Sequence, residues 1–502
     1  MNSSTSRSEE VGGCRRTGAR VVVGTQQRTM HSQVEPGSFR DRNGRVFYAA
    51  DAVFRGLSAQ ALEEWQTLSS TSFFRHCMEQ GQLVRTERID PRRREDPSLA
   101  EGWAGVLKHE PIPFISYPYE WSFGMLKDAA LLQLELLLAA LQEGMILKDA
   151  SAFNSQWRGS SSVFIDIPSF TRLVPGAPWM GYRQFCQQFL YPLFLQAYQD
   201  IPFQPWLRGS IDGIEPEDCK HIMSVRNLLR PSVFLHVYLQ SKIQATYAQT
   251  ENNIKKELAA AGFHKQLIET NVRRLRTLVR KLVWKRAKSV WSDYATEHSY
   301  SNTDHERKAA FVRQVVQLRP RNLVWDLGCN TGVFSRIAAE NARYVVAMDA
   351  DSLVIERFYQ ALKAEKQTTI LPLVTNIANL SPNLGWRGLE RKALTARGKP
   401  DLILCLALIH HLVIGANIPL QELVDWLASL GSDIVIEFVT KADPMVQRLL
   451  RNREDLYADY AVGYFEQCLS QAFDLVQRET LESGSRSLYY ARAKVGMAEK
   501  EL

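Results

Sequence analysis

The chain has 502 residues, 45% of them hydrophobic and 23% charged, with 61 Lys and Arg against 54 Asp and Glu. At ~150 residues per domain this means more than one domain, and the composition excludes a chain that is disordered throughout. The formal charge of +7 is local: residues 255–288 hold eleven Lys and Arg against Glu257 and Glu269, a net +9 that leaves −2 elsewhere.

The seven cysteines lie far apart, with no C-x-x-C pair and no Cys/His cluster. That usage predicts reduced thiols in a cytoplasmic protein, with no disulfide framework and no metal site. The most apolar run, 129–141, spans 13 residues and includes Gln133 and Glu135. A membrane span needs ~20 apolar residues, so none is expected, and no signal peptide is legible.

Taken in chain order, residues 1–40 read as a flexible tail rich in Ser, Thr, Gly and Arg. Met30 is an alternative start. Residues 41–250 read as an α+β domain. Strand-like runs at 82–89, 105–117 and 162–167 flank a helix over 120–143, where Leu131, Leu134, Leu138 and Leu141 recur at helical spacing. Residues 175–249 are helical and aromatic. Residues 251–303 form a basic amphipathic helical connector, broken near Gly262. From 304 to 495 strand and helix patterns alternate, predicting a Rossmann-like parallel sheet with helices on both faces.

The most specific motif is RNLVWDLGCNTGVFSRIAA, residues 321–339. An apolar strand ends in Asp326. Gly328 and Gly332 then turn the chain into a helix, with Asn330 between them. The two glycines let backbone come close to a ligand. A second strand ends in Asp349, a carboxylate placed to hydrogen-bond a ribose diol. A dinucleotide fingerprint would put glycine at Asn330, and an acid beside a pyrophosphate is unfavourable. The same acid suits the ammonium and sulfonium of S-adenosylmethionine. Asp-x-Gly-x-Asn-x-Gly with an acid after the next strand resembles motif I of class I methyltransferases. The resemblance implies S-adenosyl-L-methionine as cofactor, bound by Asp326, Gly328, Asn330, Gly332 and Asp349. It also assigns Asn376, after the third strand, to the adenine, although an Asp is usual there.

Further strands at 401–408 and 433–439, then an antiparallel pair at 473–479 and 487–492, complete the order expected of that fold. His410 and His411 follow the fourth strand, and an imidazole there could take a proton from a hydroxyl acceptor. The bland reading is that they pack beside the cofactor. No Asp/Asn-Pro-Pro-Tyr/Phe follows that strand, and no Pro-Cys pair is present, so oxygen acceptors are favoured over amide nitrogens or cytosine carbon.

The segments 406–420, 436–450, Gly385-Trp386 with Glu390-Arg391, and upstream 114–132 and 144–154, resemble the NoeA family of bacterial methyltransferases, associated with host-specific nodulation in rhizobia. The resemblance covers most of residues 40–495. It implies a methyltransferase and leaves the acceptor open, a small molecule or a saccharide.

In the N-terminal half, Asp149, Asn154 and Asp166 have the spacing of a kinase catalytic loop and its metal-binding acid, with Lys108 as a candidate phosphate lysine. No Gly-rich loop, His-Arg before Asp149 or Phe-Gly after Asp166 accompanies them. The reading is a degenerate kinase-like fold without phosphoryl transfer, or an unrelated α+β domain. Two other functional classes stay open: a nucleic-acid methyltransferase or RNA-binding protein using the basic segment, and a cofactor-binding protein without catalysis. Against nucleic acid, Leu267, Leu275, Leu278 and Leu282 recur at helical spacing between the charges. That pattern predicts a helix packing its apolar stripe on one half. Oligomeric state is not legible.

Overall fold

The computed structural model describes residues 33–49, 52–89, 102–242, 265–286, 288–289, 302–451 and 454–494. In the N-terminal half, β1 (Gln33–Val34), β2 (Gly44–Ala49), β3 (Ala52–Leu57), β4 (Thr86–Ile89) and β5 (Gly105–His109) form an antiparallel sheet in the order β1-β2-β3-β5-β4. Residues 33–40 correct the tail assignment. Gln33 and Val34 pair with Tyr48 and Phe47, and the turn that follows is capped where the Glu35 side chain accepts the Gly37 N–H. Ladder hydrogen bonds override polar composition there. The strand-like run at 105–117 is a strand only as far as His109, because Pro111 and Pro113 lack the donors that a ladder needs.

Helix α1 (Ala59–Ser70) packs on β3, and α2 (Ser72–Glu79) packs on α1. Helix α3 (Phe123–Gln142) begins where the Ser122 hydroxyl accepts the Met125 N–H at 3.4 Å. It is apolar on nearly every side, as befits a helix at the centre of a core. Its buried Gln133 donates to the Ser151 carbonyl at 2.6 Å. Two antiparallel pairs follow, β6 (Met145–Leu147) with β9 (Phe170–Arg172) and β7 (Ser155–Arg158) with β8 (Ser161–Phe164). The aromatic stretch folds as short helices that bury Phe185, Phe189 and Phe194.

Helix α4 (Lys265–Lys281) is the basic segment. It buries Ile268, Val272, Leu275 and Val279 and packs along α3, while Arg280 reaches Glu135 at 2.6 Å. The expected break near Gly262 lies outside the described residues, as do residues 1–32.

The C-terminal part is a seven-stranded sheet. Its strands are β10 (Arg321–Leu327), β11 (Ala342–Asp349), β12 (Ile370–Val374), β13 (Leu402–Cys405), β14 (Asp433–Val439), β15 (Phe473–Thr480) and β16 (Arg486–Ala493), in the order β12-β11-β10-β13-β14-β16-β15. The first five are parallel, and β16 runs antiparallel between β14 and β15. The alternating pleat sends Val324, Val345, Ala347 and Leu404 to one face. There they meet α5 (Asn302–Gln317), α6 (Val333–Ala339) and α7 (Ser352–Ala364). The opposite face carries Trp325, Tyr344, Val346 and Leu373, and these share one core with the N-terminal half.

The alternation expected between β12 and β13 fails. Residues 375–401 form short 3-10 turns, at Ile377–Asn379, Trp386–Gly388 and Leu394–Ala396, and one antiparallel bridge between Leu384 and Arg391. The sheet face a helix would cover there is covered by the N-terminal half. Phe114 stands edge-on to Trp325 with centroids 6.3 Å apart, and the Gly159 N–H donates to the Tyr344 hydroxyl at 3.0 Å. Beyond β13, α8 (Leu420–Ser429) and α9 (Val462–Ala472) pack against each other and complete that layer.

Candidate functional site

The chain runs outward from β10 to β11 and β12, then crosses back to β13 on the other flank of β10. Loops after β10 and β13 therefore part and leave a crevice at the carboxyl ends of the strands. Asp326, Gly328, Asn330 and Gly332 lie at the end of β10, Asp349 at the end of β11, Asn376 just beyond β12, and His410 and His411 beyond β13. The fold thus collects at one edge all eight residues that the methyltransferase reading singled out, while Lys108, Asp149, Asn154 and Asp166 lie in the N-terminal half.

The glycine turn is tied down on both sides. Gly328 and Cys329 both donate their N–H to the Met348 carbonyl, at 2.8 and 3.0 Å. The Asn330 N–H donates to Asp349 Oδ2 at 3.0 Å, while Asp349 Oδ1 accepts the Asp351 N–H at 2.9 Å. Gly328, Asn330 and Gly332 have φ of +75°, +46° and +79°, a region where only glycine is free of strain and asparagine is tolerated. A Cβ on Gly332 would lie 1.9 Å from the Phe358 ring, so α7 closes on the turn without room for a methyl group.

Asp326 is buried and accepts the Ser335 hydroxyl at 2.5 Å. Burial pushes its carboxyl up to about 6, against the opposing pull of Ser335 and Lys308. Burial also raises Asp349, although backbone N–H groups oppose this. Two carboxyls raised by burial thus stand at one edge of the sheet.

Asn376 is exposed, and its side chain accepts the Ala378 N–H at 3.0 Å, capping the turn after β12. Its carbonyl oxygen is therefore engaged with its own loop. His410 is fully buried, and neither ring nitrogen has a hydrogen-bond partner. Burial, then the charges of His411, Arg486 and Lys308, drive it well below the ordinary imidazole range. His411 is half-buried, 4.1 Å from the His410 ring centroid, and burial lowers it to about 4. Of the two, only His411 meets solvent.

Beneath these residues lies a buried ionic network that sequence reasoning missed. Glu437, in the middle of β14, accepts from Lys308 of α5 and from Arg486 at 3.1 Å, and Arg486 also reaches Asp443 at 2.7 Å. Burial works to raise Glu437, but Lys308 and Arg486 outweigh it and hold the carboxyl below its usual range. A single acid inside the apolar run IVIEFV was the available signal, because such a charge must be paired.

A seven-stranded sheet with its last strand inserted antiparallel, carrying a glycine turn and two acids at its switch point, defines a class I methyltransferase-like α/β domain. The chain belongs to the NoeA family. It is 35% identical over 457 residues to nodulation protein NoeA of Rhizobium meliloti (strain 1021), covering 90% of this chain and 94% of that one. No family model matches the chain. Among solved structures, the N-methyltransferase NodS of Bradyrhizobium japonicum WM9, in complex with S-adenosyl-L-homocysteine, is similar at 14% identity and TM-score 0.30, over 41% of this chain and 99% of NodS. The magnesium protoporphyrin IX methyltransferase ChlM of Synechocystis PCC 6803, with bound SAM, is similar at 17% identity and TM-score 0.28, over 45% of this chain and 92% of ChlM. No described helix is long and apolar enough to cross a membrane.

Proposed function

We propose that this chain is an S-adenosyl-L-methionine-dependent methyltransferase acting on an oxygen of a small-molecule or saccharide acceptor, in the nodulation setting that the name of its NoeA relative suggests. One observation carries the reading: the buried carboxyl of Asp326 stands one glycine turn from Asp349, at the switch point of the sheet. The orphaned nitrogens of His410 and the raised carboxyls of Asp326 and Asp349 fit such a cofactor. Asp326 would face its charged methionine end and Asp349 its ribose diol. Gly328, Asn330 and Gly332 would let backbone approach it, and Asn376 would sit at the adenine through its amide N–H groups alone. When bound, the cofactor supplies an electrophilic methyl group whose departure leaves a neutral thioether.

The chain's own residues then align and desolvate the acceptor. His411 is the candidate base for the acceptor hydroxyl, and His410 backs it from the core. The N-terminal half is read as a degenerate kinase-like fold without phosphoryl transfer that shapes the acceptor side. Lys108 sits 3.8 Å from Glu87, whereas Arg55 on β3 pairs with Asp166 at 2.8 Å. Arg55 is thus the better-placed cation. Equilibrium binding of S-adenosylmethionine, followed by transfer of labelled methyl groups into extracts of the native organism, tests the reading. A folded protein that binds no cofactor refutes it.

A further inference from the structure

Two cavities of a size for small ligands lie between the N-terminal half and residues 390–397. One of about 560 Å³ has apolar walls from Val46, Val53, Ile112, Phe153 and Ile165. The second, of about 380 Å³, is polar and shares Val46, Arg55 and Arg391 with the first. Ligand pockets typically span ~300–1,000 Å³, with apolar walls and a few convergent polar groups. His109 lies along the apolar slot. It is buried to 6% exposure, its Nδ1 pairs with Thr86 Oγ1 at 2.9 Å, and its Nε2 has no partner.

The polar end carries both signs of charge. Asp149, Asn154 and Asp166 line it with Asp41, Asp212 and Glu390, and so do the guanidinium groups of Arg40, Arg45, Arg55 and Arg391, of which Arg55 pairs with Asp166 at 2.8 Å and Arg40 with Glu390. Arg45 meets only the carbonyls of Ser38, Asp41 and Gly44. Arg391 stacks 4.0 Å from the Phe153 centroid and bonds its neighbour's carbonyl, so neither has a carboxylate partner among the described residues. Carboxylates and an amide beside guanidiniums match a phosphate carrying its own magnesium ion: the oxygens take the metal and the guanidiniums take the phosphate.

The outer wall belongs to the other half of the molecule. Residues 384–397 leave the α/β sheet after Asn376 and close the cleft. Lys392 reaches Glu35 at 2.6 Å, Arg397 forms a buried pair with Glu120 at 2.5 Å, and Arg208 grips the Asn379 and Leu380 carbonyls at 3.0 and 2.8 Å. We propose that this cleft binds a magnesium–nucleoside phosphate, its ring in the apolar slot and its phosphates at Arg45 and Arg391. Because the occupant touches the segment leading from Asn376, its binding is coupled to cofactor affinity. The coupling, though not the binding, rests on the methyl-transfer reading.

Calorimetry on the full chain with Mg-ATP, metal-free ATP, AMP and magnesium alone tests this. Saturable one-to-one binding of Mg-ATP is expected, with Arg391→Ala weakening it ten-fold or more and Val46→Trp, which fills the slot, abolishing it. Both variants should keep the wild-type melting temperature. No binding to the folded wild type, or binding that survives both substitutions, overturns the site. Saturating Mg-ATP should change the Kd for S-adenosylmethionine about five-fold. An unchanged Kd beside intact nucleotide binding overturns the coupling. Loss of cofactor binding altogether, with nucleotide binding intact, counts instead against the methyl-transfer reading.

Discussion

Trp157 of the N-terminal half stands edge-on to Tyr359 of α7, with ring centroids 5.6 Å apart and planes at 84°. Both side chains are fully buried, one from each half. The two halves therefore share a core, and neither completes its own. Trp157→Ala should cost ~3–5 kcal/mol, the usual penalty for removing a buried aromatic ring. An excised fragment 302–494 should expose Trp325 and Tyr344 and aggregate or bind hydrophobic dye. Denaturant unfolding and size-exclusion chromatography check this, and a monomeric, cooperatively folding fragment would contradict it.

The glycine turn should respond asymmetrically to a methyl group. On Gly332 the added carbon meets Phe358 at 1.9 Å, whereas on Gly328 it meets the flexible Leu408 side chain at 3.2 Å. Both positions have positive φ, so both substitutions carry backbone strain. Gly332→Ala should therefore lose cofactor binding and melt earlier than Gly328→Ala. Reversal of that order in paired melting and binding curves would show that α7 yields more easily than its packing implies.

Asp326 gives stability a specific pH dependence. Its carboxyl sits at about 6 in the fold and near ~4 in an unfolded chain. Between those values the folded state keeps a proton that the unfolded state has lost. Its contribution is thus fully present below pH ~4 and falls as pH rises toward ~6, by up to ~3 kcal/mol. Asp326→Asn should flatten this part of the profile. Urea unfolding of both proteins across pH 4–7 measures the difference, and parallel profiles would place the titration elsewhere.

His411, if it is the base, works from a depressed pKa. The acidic limb of kcat should then bend at about 4, not near the ~6.5 of an ordinary imidazole. His411→Ala should lower kcat by ~10²–10⁴ with cofactor Kd unchanged. Unaltered turnover removes it from the chemistry. His410→Ala, which empties a buried site, should show chiefly as lost stability.

The exposed cations of α4 should be dispensable. Arg273, Arg274 and Lys281 face solvent, while Leu275 and Val279 are buried. Reversing those three charges should change stability by less than ~0.5 kcal/mol, whereas Leu275→Ala should cost ~2–5 kcal/mol. RNA affinity that is salt-dependent in the wild type and abolished by the reversal would restore the nucleic-acid reading.

The first three strands of the α/β domain were legible because each is a short apolar run ended within two residues by Gly, Asp or Asn, and local chemistry of that kind survives in one dimension. So were the glycine turn and its acids, whose spacing is set by the strand and turn themselves. Lys308, Glu437 and Arg486 were not recognised, since they meet from α5, β14 and β16 across more than a hundred residues of sequence. The missing helix between β12 and β13 was equally invisible. A helix is the default cover for a parallel sheet, and only packing shows that Phe114, Trp157 and α3 supply that cover instead. The basic segment follows the same division. Its leucine periodicity by itself determined a helix with an apolar stripe, but its docking on α3 depended on where the tertiary core left an apolar groove. Local hydrogen bonding and periodicity are written along the chain, whereas burial is a property of surfaces that meet only after folding.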